Sequence, residues 1–327
     1  MIDVSVIIVF RDEEDYIEEC IRSIEKQFER NTFKWELILV DGDSRDKSNQ
    51  LASAFLNAKN YPNKIILNPQ KTLATGWNLG IKSARGKYVV RPDAHAALHD
   101  GYMEKGIDTL KLKPDVTAVG GILDTKAKGY WGEIIKEALS SRVGVGNSGF
   151  RTATQSAYSD TAVYALYRKE IFNQVGYFNE ELVRHQDNEM HRRIKKVGGK
   201  FYMNVEMKAD YYARDSVKKL LRQMYLIGYY IPDVIGDGAL GMRHLAPFVF
   251  YMVFVFGLIL SLFHPLFGYL SAIQMGLYII IITLDSFSKV FQQKMPSLLL
   301  NIFIIPLMHL FYAWGTFRGF IRKIIQK

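Results

Sequence analysis

The first 90 residues alternate between apolar runs and amphipathic stretches. Val4–Phe10 is an almost continuous apolar run, as expected for a parallel strand that is buried on both faces. An amphipathic stretch follows, with an apolar residue every three or four positions from Ile17 to Phe28. Further strands are predicted at Glu36–Val40, Lys64–Leu67 and Lys87–Val90, with helices over about 45–57 and 75–84. This order predicts an α/β fold with a doubly wound, mostly parallel sheet.

The C-terminal quarter of the chain is much more apolar than the rest. Three segments without a charged residue approach the roughly 20 residues that a helix needs to cross a bilayer: 245–263, 266–284 and 297–317. The third contains Pro306, and we expect it to be re-entrant or interfacial. We therefore predict an α/β domain over 1–214, an amphipathic interface helix region over 215–243 and a membrane domain over 244–327.

Charge favours a lipid surface over nucleic acid as a partner. The 327 residues include 42 Lys and Arg against 33 Asp and Glu, and much of the basic excess lies around the apolar C-terminal part. The N-terminal part has no basic stripe interleaved with stacking aromatics. The single cysteine, Cys20, cannot form an internal disulfide and fits a reducing compartment. Acidic residues follow the first apolar run, which is not typical of a signal peptide. We expect a multi-pass protein of a bacterial-type inner or plasma membrane with a cytoplasmic α/β domain.

Acidic side chains follow three of the predicted strands. Glu13 follows the first strand, Asp41 and Asp43 follow the second, and Asp93 follows the fourth together with His95. The carboxyl ends of the strands in such a sheet form one edge, where ligands bind. Clustered carboxylates repel one another unless a cation or hydrogen-bond donors neutralise them. The pattern therefore favours a divalent metal that carries a phosphate-bearing ligand.

A glycine-rich segment does not change this interpretation. Gly144–Gly149 matches G-x-G-x-x-G, but it follows a helical pattern and no helix opens after it, which excludes a nicotinamide dehydrogenase. A P-loop is also absent from the sequence. The segment Gly144–Arg151 is either an acceptor contact or an ordinary glycine-rich connection.

Taken in order, these motifs resemble the family-2 glycosyltransferases. The resemblance covers about positions 3–230 and rests on Val4–Ile8, Asp12–Glu14, Val40–Asp46, Asn78–Gly80, Gly86–His95, Gly176–Glu180 and His185–Glu189. The Asp-Ala-His sequence that ends at His95, with His309, Tyr312 and Gly315, is most similar to bacterial succinoglycan-type membrane glucosyltransferases. The resemblance implies a GT-A fold, a nucleotide-sugar donor, a divalent cation and inversion at the anomeric carbon.

The resemblance assigns roles to the acidic edge. Asp93 and His95 occupy the metal motif, in which His95 replaces the usual second carboxylate. The cofactor would be Mn²⁺ or Mg²⁺, and we favour Mn²⁺ because imidazole is softer than the oxygen ligands that Mg²⁺ prefers. Asp41 aligns with an acid that contacts the uridine. Glu13 matches a nucleotide-side acid, and a solvated helix N-terminus is its alternative. Asp43 departs from the pattern, so it is either a nucleotide contact or a helix cap.

Other candidates for donor binding lie on predicted helices. Asn78 and Gly80 are expected near the diphosphate, although Asn78 could also be a helix-interior residue. Arg222 and Gln223 loosely resemble the Gln-x-x-Arg-Trp region that contacts donor or acceptor in processive relatives. The tryptophan of that region is missing here, which weakens the case for processive polymerisation. The apolar and basic residues around them suit a helix in the membrane interface, or a plain surface helix.

Asp187 is the predicted catalytic base. Met190, Ile194 and Val197 follow at helical spacing, and Asp187 lies at the open end of the same apolar stripe. Partial desolvation there would make its carboxylate a stronger proton acceptor. It would deprotonate the acceptor hydroxyl that attacks the sugar, with a structural N-cap as the alternative role. Glu189 would help to position the acceptor.

Together these features predict an inverting, metal-dependent hexosyltransferase. It would move a hexose from a UDP-linked donor to a polyprenyl-diphosphate-linked saccharide in exopolysaccharide or capsule biosynthesis. One alternative is a transferase that charges polyprenyl phosphate itself. Another is an inactive relative that binds nucleotide-sugar as a scaffold, against which Asp93 and Asp187 argue.

Overall fold

The structure is a computed structural model that describes residues 2–29, 31–146, 149–236 and 238–326. The chain divides into two compact units. The first consists of Met1–Asp124 and Gly149–Tyr212, and the second of Thr125–Ser148 and Ala213–Lys327. The boundary near residue 213 lies close to the predicted one at 214. The segment 125–148 was predicted to be part of the α/β domain, and it belongs to the second unit instead.

Within the described residues, nine strands form one sheet in the order β3-β2-β1-β4-β8-β6-β9-β5, with β7 paired to β9. Their bounds are β1 Val4–Phe10, β2 Trp35–Asp41, β3 Asn63–Leu67, β4 Tyr88–Val90, β5 Ala96–Leu98, β6 Val116–Lys126, β7 Ala157–Ser159, β8 Leu166–Arg168 and β9 Lys200–Tyr212.

The helices of the described residues, in chain order, are α1 Ile17–Lys26, α2 Ser48–Asn57, α3 Leu73–Ser83, α4 Tyr102–Leu112, α5 Gly129–Ser140, α6 Arg142–Val145, α7 Gly149–Thr152, α8 Ile171–Val175, α9 Gln186–Lys196, α10 Val217–Tyr229, α11 Pro232–Ile235, α12 Ala246–Leu260, α13 Pro265–Gln293 and α14 Asn301–Ile325. Short 3₁₀ turns precede α12 and α14 at Met242–Leu245 and Pro296–Leu300.

The N-terminal half of the sheet confirms the predicted α/β order. β1 pairs in parallel with β2 and with β4, and β2 pairs in parallel with β3. Strand β1 spans the same residues, Val4–Phe10, as the predicted strand. The later strands join antiparallel, as β8 does with β4 and β6. The result is a mixed GT-A sheet that is parallel in its N-terminal half and antiparallel beyond β4.

Alternate residues of β1 serve the two faces of the sheet, as the period of a strand requires. Val6 and Ile8 lie in the apolar layer that contains the buried face of α1. Ile7 lies in the opposite layer, which contains the buried residues of α3 and α9. Gly80 of α3 packs so closely on Ile7 that a Cβ at this position would overlap the isoleucine side chain. Such a close approach sets the distance of α3 from β1.

Among the described residues of the second unit, two helices are long and apolar enough to cross a membrane. They are the 29-residue α13 and the 30-residue segment Pro296–Ile325, which includes α14. Helix α14 continues through Pro306 without a break, so the predicted re-entrant form is not seen, and an interfacial position stays a prediction. The first predicted span, 245–263, corresponds to helix α12, which is shorter than these two. Its 15 residues would extend only about 22 Å at 1.5 Å per residue.

The predicted interface helix region, 215–243, contains helix α10. The apolar side of α10 packs against protein, because Leu220 and Met224 are buried in a cluster with residues of α14. Gly315 of α14 lies so close to the Tyr225 carbonyl of α10 that a Cβ would clash with it. The apolar face of α10 therefore packs against α14, and a position of this region in the membrane interface stays a prediction.

Helix α5 explains why residues 125–148 belong to the second unit. Ile134 and Ile135 are buried in a cluster with Ile282 of α13 and Ile304 of α14. Lys289 of α13 pairs with Glu137 of α5 at 3.2 Å. Ser141 donates a hydrogen bond of 2.8 Å to Asp285, also of α13.

Candidate active site

Two loops interlock at the carboxyl edge of the parallel strands, where β1 and β2 end side by side with Phe10 opposite Asp41. The Asp12 carboxylate accepts a 2.7 Å hydrogen bond from the Arg45 backbone N–H. In return, the Asp12 and Glu13 backbone N–H groups donate to the hydroxyls of Ser44 and Ser48. These hydrogen bonds fix the loops that precede α1 and α2 relative to each other.

Asp41 is buried and shapes the loop that follows β2. Its Oδ1 accepts hydrogen bonds from the backbone and hydroxyl of Ser44, at 2.9 and 2.7 Å. Its Oδ2 accepts from the Asn49 side chain at 2.8 Å. Each carboxylate oxygen has more than one lone pair, so these bonds are compatible with a nucleoside contact, which stays a prediction.

Asp43 does not cap a helix. Helix α2 begins at Ser48, and its first turn is bonded instead by Asp46, whose Oδ1 accepts from the Ser48 backbone at 2.9 Å. Asp43 has φ = +60°, is exposed and forms an ion pair with Lys71, which lowers the pKa of the Asp43 carboxyl. The capping role is wrong, and a nucleotide contact stays a prediction.

Glu13, Asp93 and His95 come together beyond the ends of β1 and β4. His95 Nδ1 lies 3.2 Å from Glu13 Oε1, and His95 Nε2 lies 4.0 Å from Asp93 Oδ2. Tyr164 donates a hydrogen bond of 3.2 Å to Asp93 Oδ2. Burial raises the pKa of the Asp93 carboxyl, the charge of Asp187 adds to this, and His95 opposes it. Two carboxylates and an imidazole therefore share one small region.

Asp187 lies in the first turn of α9, and its Oδ1 forms an ion pair with Nη2 of Arg91. Its side chain is 46% exposed, so the carboxylate is only partly removed from water, and its role as the base stays a prediction. Val197, the last residue of the predicted apolar stripe, is 52% exposed because α9 ends at Lys196. The stripe is made by Met190 and Ile194, which are buried.

Arg91 is a residue of this site that the sequence pattern did not indicate. It follows β4 directly and only 5% of it is exposed. Its guanidinium lies 3.9 Å from the centre of the Trp77 ring and 4.6 Å from that of Phe178. An arginine between an apolar strand and Asp93 could have suggested a buried ion pair with a carboxylate. The sequence does not show which carboxylate forms that pair.

Asn78 holds a loop in place. Its Nδ2 donates to the Phe178 carbonyl at 2.9 Å and to Glu180 at 2.7 Å, and its Oδ1 accepts from the Phe178 backbone at 2.9 Å. Asn78 and Gly80 are both buried in α3. The helix-interior alternative therefore describes Asn78 well, and a diphosphate contact from either residue stays a prediction.

Glu189 also holds the fold together. Both of its carboxylate oxygens accept hydrogen bonds of 2.7 Å from Arg193, one turn further along α9. Arg193 also donates to the backbone carbonyls of Val175 and Tyr177. Positioning of the acceptor by Glu189 stays a prediction.

Arg222 and Gln223 belong to α10 of the second unit, where Arg214 donates to Gln223 Oε1 at 3.3 Å. Their donor contact stays a prediction. Of the glycine-rich segment Gly144–Arg151, residues 147 and 148 lie outside the described residues.

The first unit has a second group of possible metal ligands that the sequence did not suggest. Ligand atoms of His99, Asp124 and Asp210 all lie within 4.8 Å of one another. His99 Nε2 and Asp210 Oδ1 form a 2.6 Å hydrogen bond. These residues are brought together by β5, β6 and β9, the strands furthest from β1 in the sheet order.

Comparison with solved structures supports the fold. A mannosyltransferase from Pyrobaculum calidifontis, solved with GDP-Man and Mn²⁺, matches with a TM-score of 0.62 over 98% of this chain and 87% of that one, at 14% identity. GalNAc-T7, solved with UDP, GalNAc and Mn²⁺, matches with a TM-score of 0.53 over 74% of this chain and 52% of that one, at 16% identity. The fold is that of the nucleotide-sugar transferases.

The chain belongs to glycosyl transferase family 2, whose family model matches residues 5–176. A relative from Methanococcus voltae is 28% identical, covering 98% of this chain and 97% of its own length. It is named dolichyl N-acetyl-alpha-D-glucosaminyl phosphate 3-beta-D-2,3-diacetamido-2,3-dideoxy-beta-D-glucuronosyltransferase. The succinoglycan biosynthesis protein ExoA of Rhizobium meliloti is 26% identical over 59% of this chain and 58% of its own. The chain is a glycosyltransferase.

Proposed function

We propose that this protein is a metal-dependent inverting glycosyltransferase that moves a sugar from a UDP-sugar to a lipid-linked saccharide at a membrane. The observation that carries the proposal is the meeting of Asp93, His95 and Glu13 at the edge of the sheet, with Asp187 near enough for its charge to act on Asp93. Metal ligands and a carboxylate base are the two groups that such a transfer needs.

Asp187 would act as the base. Its Oδ1 is held by Arg91, and among the described residues no hydrogen bond is made to its Oδ2, so this oxygen is available to an acceptor hydroxyl. As the hydroxyl proton moves to Oδ2, the acceptor oxygen bonds to C1 of the sugar. The bond between C1 and the diphosphate oxygen breaks, and the nucleoside diphosphate leaves with that electron pair.

Asp93 and His95 would hold the divalent cation. A carboxylate oxygen and an imidazole nitrogen suit Mn²⁺, and Glu13 is close enough to complete or orient the ligand set. A cation there would supply positive charge for the diphosphate. The partial burial of Asp93 fits this role, because an uncompensated carboxylate in that position is disfavoured.

The acceptor would carry a polyprenyl or dolichyl chain. The name of the Methanococcus voltae relative specifies a dolichyl phosphate bearing a sugar, and that protein matches this chain over nearly its whole length. The two long apolar helices would keep the enzyme at the membrane that contains such lipids. A role in surface polysaccharide synthesis is consistent with the name of ExoA. The catalytic unit would face the cytoplasm, where nucleotide-sugars are made.

The test is a donor and acceptor screen with the detergent-solubilised full chain. UDP-, GDP- and TDP-sugars are each incubated with Mn²⁺ and one of three acceptors: polyprenyl phosphate, polyprenyl phosphate N-acetylglucosamine or a polyprenyl-diphosphate-linked saccharide. We expect transfer from a UDP-sugar to a saccharide-bearing lipid, and its loss in Asp187→Asn. Transfer to bare polyprenyl phosphate would contradict the proposed acceptor. Absence of both transfer and donor hydrolysis would favour a scaffold.

A further inference from the structure

We propose that Arg91 positions the base Asp187, and that a hydrogen-bonded chain of Tyr167, His191 and Thr161 sets the position of Arg91. This rests on the proposed role of Asp187. Arg91 touches neither of the reacting molecules in this scheme and acts through the carboxylate that it holds, so it is a positioning residue.

The surroundings of Arg91 leave its side chain little freedom. Trp77 and Phe178 lie beside the guanidinium, and the ring centre of Tyr167 is 5.6 Å away. A buried cation needs a partner of opposite charge, and the Asp187 carboxylate provides it. Because the planar guanidinium is packed among rings, it presents Nη2 to Asp187 in one direction.

A directional hydrogen-bond chain continues from the same nitrogen. Arg91 Nη2 donates to the Tyr167 hydroxyl at 3.3 Å. The hydroxyl is then free to donate its own proton to His191 Nε2, at 2.7 Å. This assigns the remaining proton to Nδ1, which faces the Thr161 hydroxyl at 2.8 Å. The assignment suits a neutral imidazole, since burial lowers the pKa of His191 to about 3.

Arg91 is connected to helix α9 at two points. His191 lies one turn after Asp187 on α9, so Arg91 is connected to α9 directly at Asp187 and, through Tyr167, at His191. Arg91 also lies two residues before Asp93, the predicted metal ligand. The chain therefore fixes the base relative to the strand end that would bind the leaving group.

The consequence for catalysis is that the Asp187 carboxylate is held in a fixed position relative to Asp93. A carboxylate on a free side chain samples several rotamers, whereas a carboxylate with one oxygen in an ion pair presents the other oxygen in a single place. Displacing a reacting group by about 1 Å can cost about 100-fold in rate. Loss of the Arg91 contact should then reduce turnover while leaving nucleotide binding in place.

The experiment compares Arg91→Lys and Tyr167→Phe with Arg85→Lys in the full chain. Arg85 is the control because it too forms an ion pair with a carboxylate of the first unit, that of Glu36, at 2.8 Å. Glu36 lies at the start of β2, at the end opposite Asp41. The readouts are kcat and KM for UDP release from the UDP-sugar with the fastest turnover, the affinity for UDP, and thermal stability.

We expect Arg91→Lys to lower kcat about 100-fold and Tyr167→Phe about tenfold, each with the KM and the UDP affinity nearly unchanged. Arg85→Lys should lower stability and leave kcat intact. If Arg91→Lys retains kcat within threefold, or loses kcat only in proportion to UDP affinity, the positioning role is overturned.

Asp187→Asn separates this inference from the proposed function. If Asp187→Asn is inactive while Arg91→Lys is active, only the positioning role fails. If Asp187→Asn turns over normally, the assignment of the base fails, and the positioning role fails with it. The double variant should be no slower than Asp187→Asn alone, because the two residues act as a unit. Additive losses would contradict the inference.

Discussion

Tyr164 donates a hydrogen bond of 3.2 Å to Asp93 from a backbone conformation with φ = +44°. A bulky residue rarely adopts such a conformation, which costs on the order of 1 kcal/mol or more. Tyr102 donates to the Tyr164 carbonyl at 3.0 Å and so helps to hold it there. The strained tyrosine thus orients the carboxylate that we assign to the metal.

Replacement of this tyrosine should weaken metal binding. In Tyr164→Phe the ring remains but Asp93 loses its hydrogen bond, and loss of such an outer contact typically lowers metal affinity about 10- to 100-fold. A Mn²⁺ titration of turnover should show a higher half-saturating concentration, with near-normal kcat at saturation. Tyr158→Phe is the control, because Tyr158 bonds to Asp115 on the surface. An equal shift in both variants would contradict the role of Tyr164.

The histidine of the metal motif should set the preference between cations. His95→Asp restores two carboxylates, and hard oxygen ligands favour Mg²⁺. We expect the ratio of Mg²⁺-supported to Mn²⁺-supported turnover to rise in this variant, whereas the wild-type protein prefers Mn²⁺.

His99→Ala tests the other possible ligand group. Since His99 lies with Asp124 and Asp210 rather than with Asp93, this variant should keep the Mn²⁺ dependence of the wild-type protein. Loss of metal dependence in His99→Ala, with His95→Asp unaffected, would assign the cation to the second group.

Stability should fall in mild acid because of His191. Its pKa is about 3 in the folded protein, chiefly through burial, against 6.5 ordinarily. Between these values the unfolded chain binds more protons, so the free energy of unfolding decreases as pH falls below about 6.5, by about 5 kcal/mol in full. The nearby charges of Arg91, Asp187 and Lys195 modulate this effect.

Thermal unfolding of the detergent-solubilised protein at pH 7.5 and pH 5.0 measures this dependence. His191→Gln removes the titrating group and should show a smaller drop in Tm between the two pH values, although it is less stable at both. The same drop in both proteins would show that carboxylates elsewhere cause the loss.

Asn78 should matter more for stability than for nucleotide binding. Asn78→Ala leaves the Phe178 backbone groups unpaired in a buried place, which costs about 1–3 kcal/mol for each unsatisfied group. We expect a lower Tm and an unchanged affinity for UDP in calorimetry. A variant with normal Tm and much weaker UDP binding would instead support the diphosphate contact suggested by the sequence.

The contact between α10 and α14 should tolerate no side chain at Gly315. In Gly315→Leu the new atoms meet the Tyr225 backbone, which cannot move aside as a side chain would. We expect reduced yield and lower thermal stability in detergent. Gly276→Leu on α13 is the control, since a Cβ there meets nothing within 4 Å. Equal stability of the two variants would show that α10 can separate from α14 without loss.

Much of the fold could be predicted because burial on both faces leaves a clear pattern. Val4–Phe10 was placed correctly, since a short apolar run rich in β-branched residues favours a strand that is buried on both faces. The carboxyl edge followed from topology, which brought Glu13 and His95 together across 82 positions. Asp187 was harder, because the pattern indicated the helix but not that Arg91 would bind its side chain.

The errors arose where long-range packing decides the outcome. Val197 fits the helical spacing of Met190 and Ile194, but α9 ends before it. Pro306 usually interrupts a helix, yet α14 runs through it. The membership of α5 in the second unit depends on partners such as Ile282 and Ile304, more than 140 positions away, and no local pattern encodes them.

The second unit is made of two separate segments of the chain, and this limits how the enzyme can be shortened. A truncated protein that ends at Tyr212 would retain α5 but lack α13 and α14. Ile134, Ile135, Ala138 and Leu139 would then face water, and such a surface promotes aggregation. A version without the apolar C-terminal helices would therefore need the apolar face of α5 replaced or removed as well.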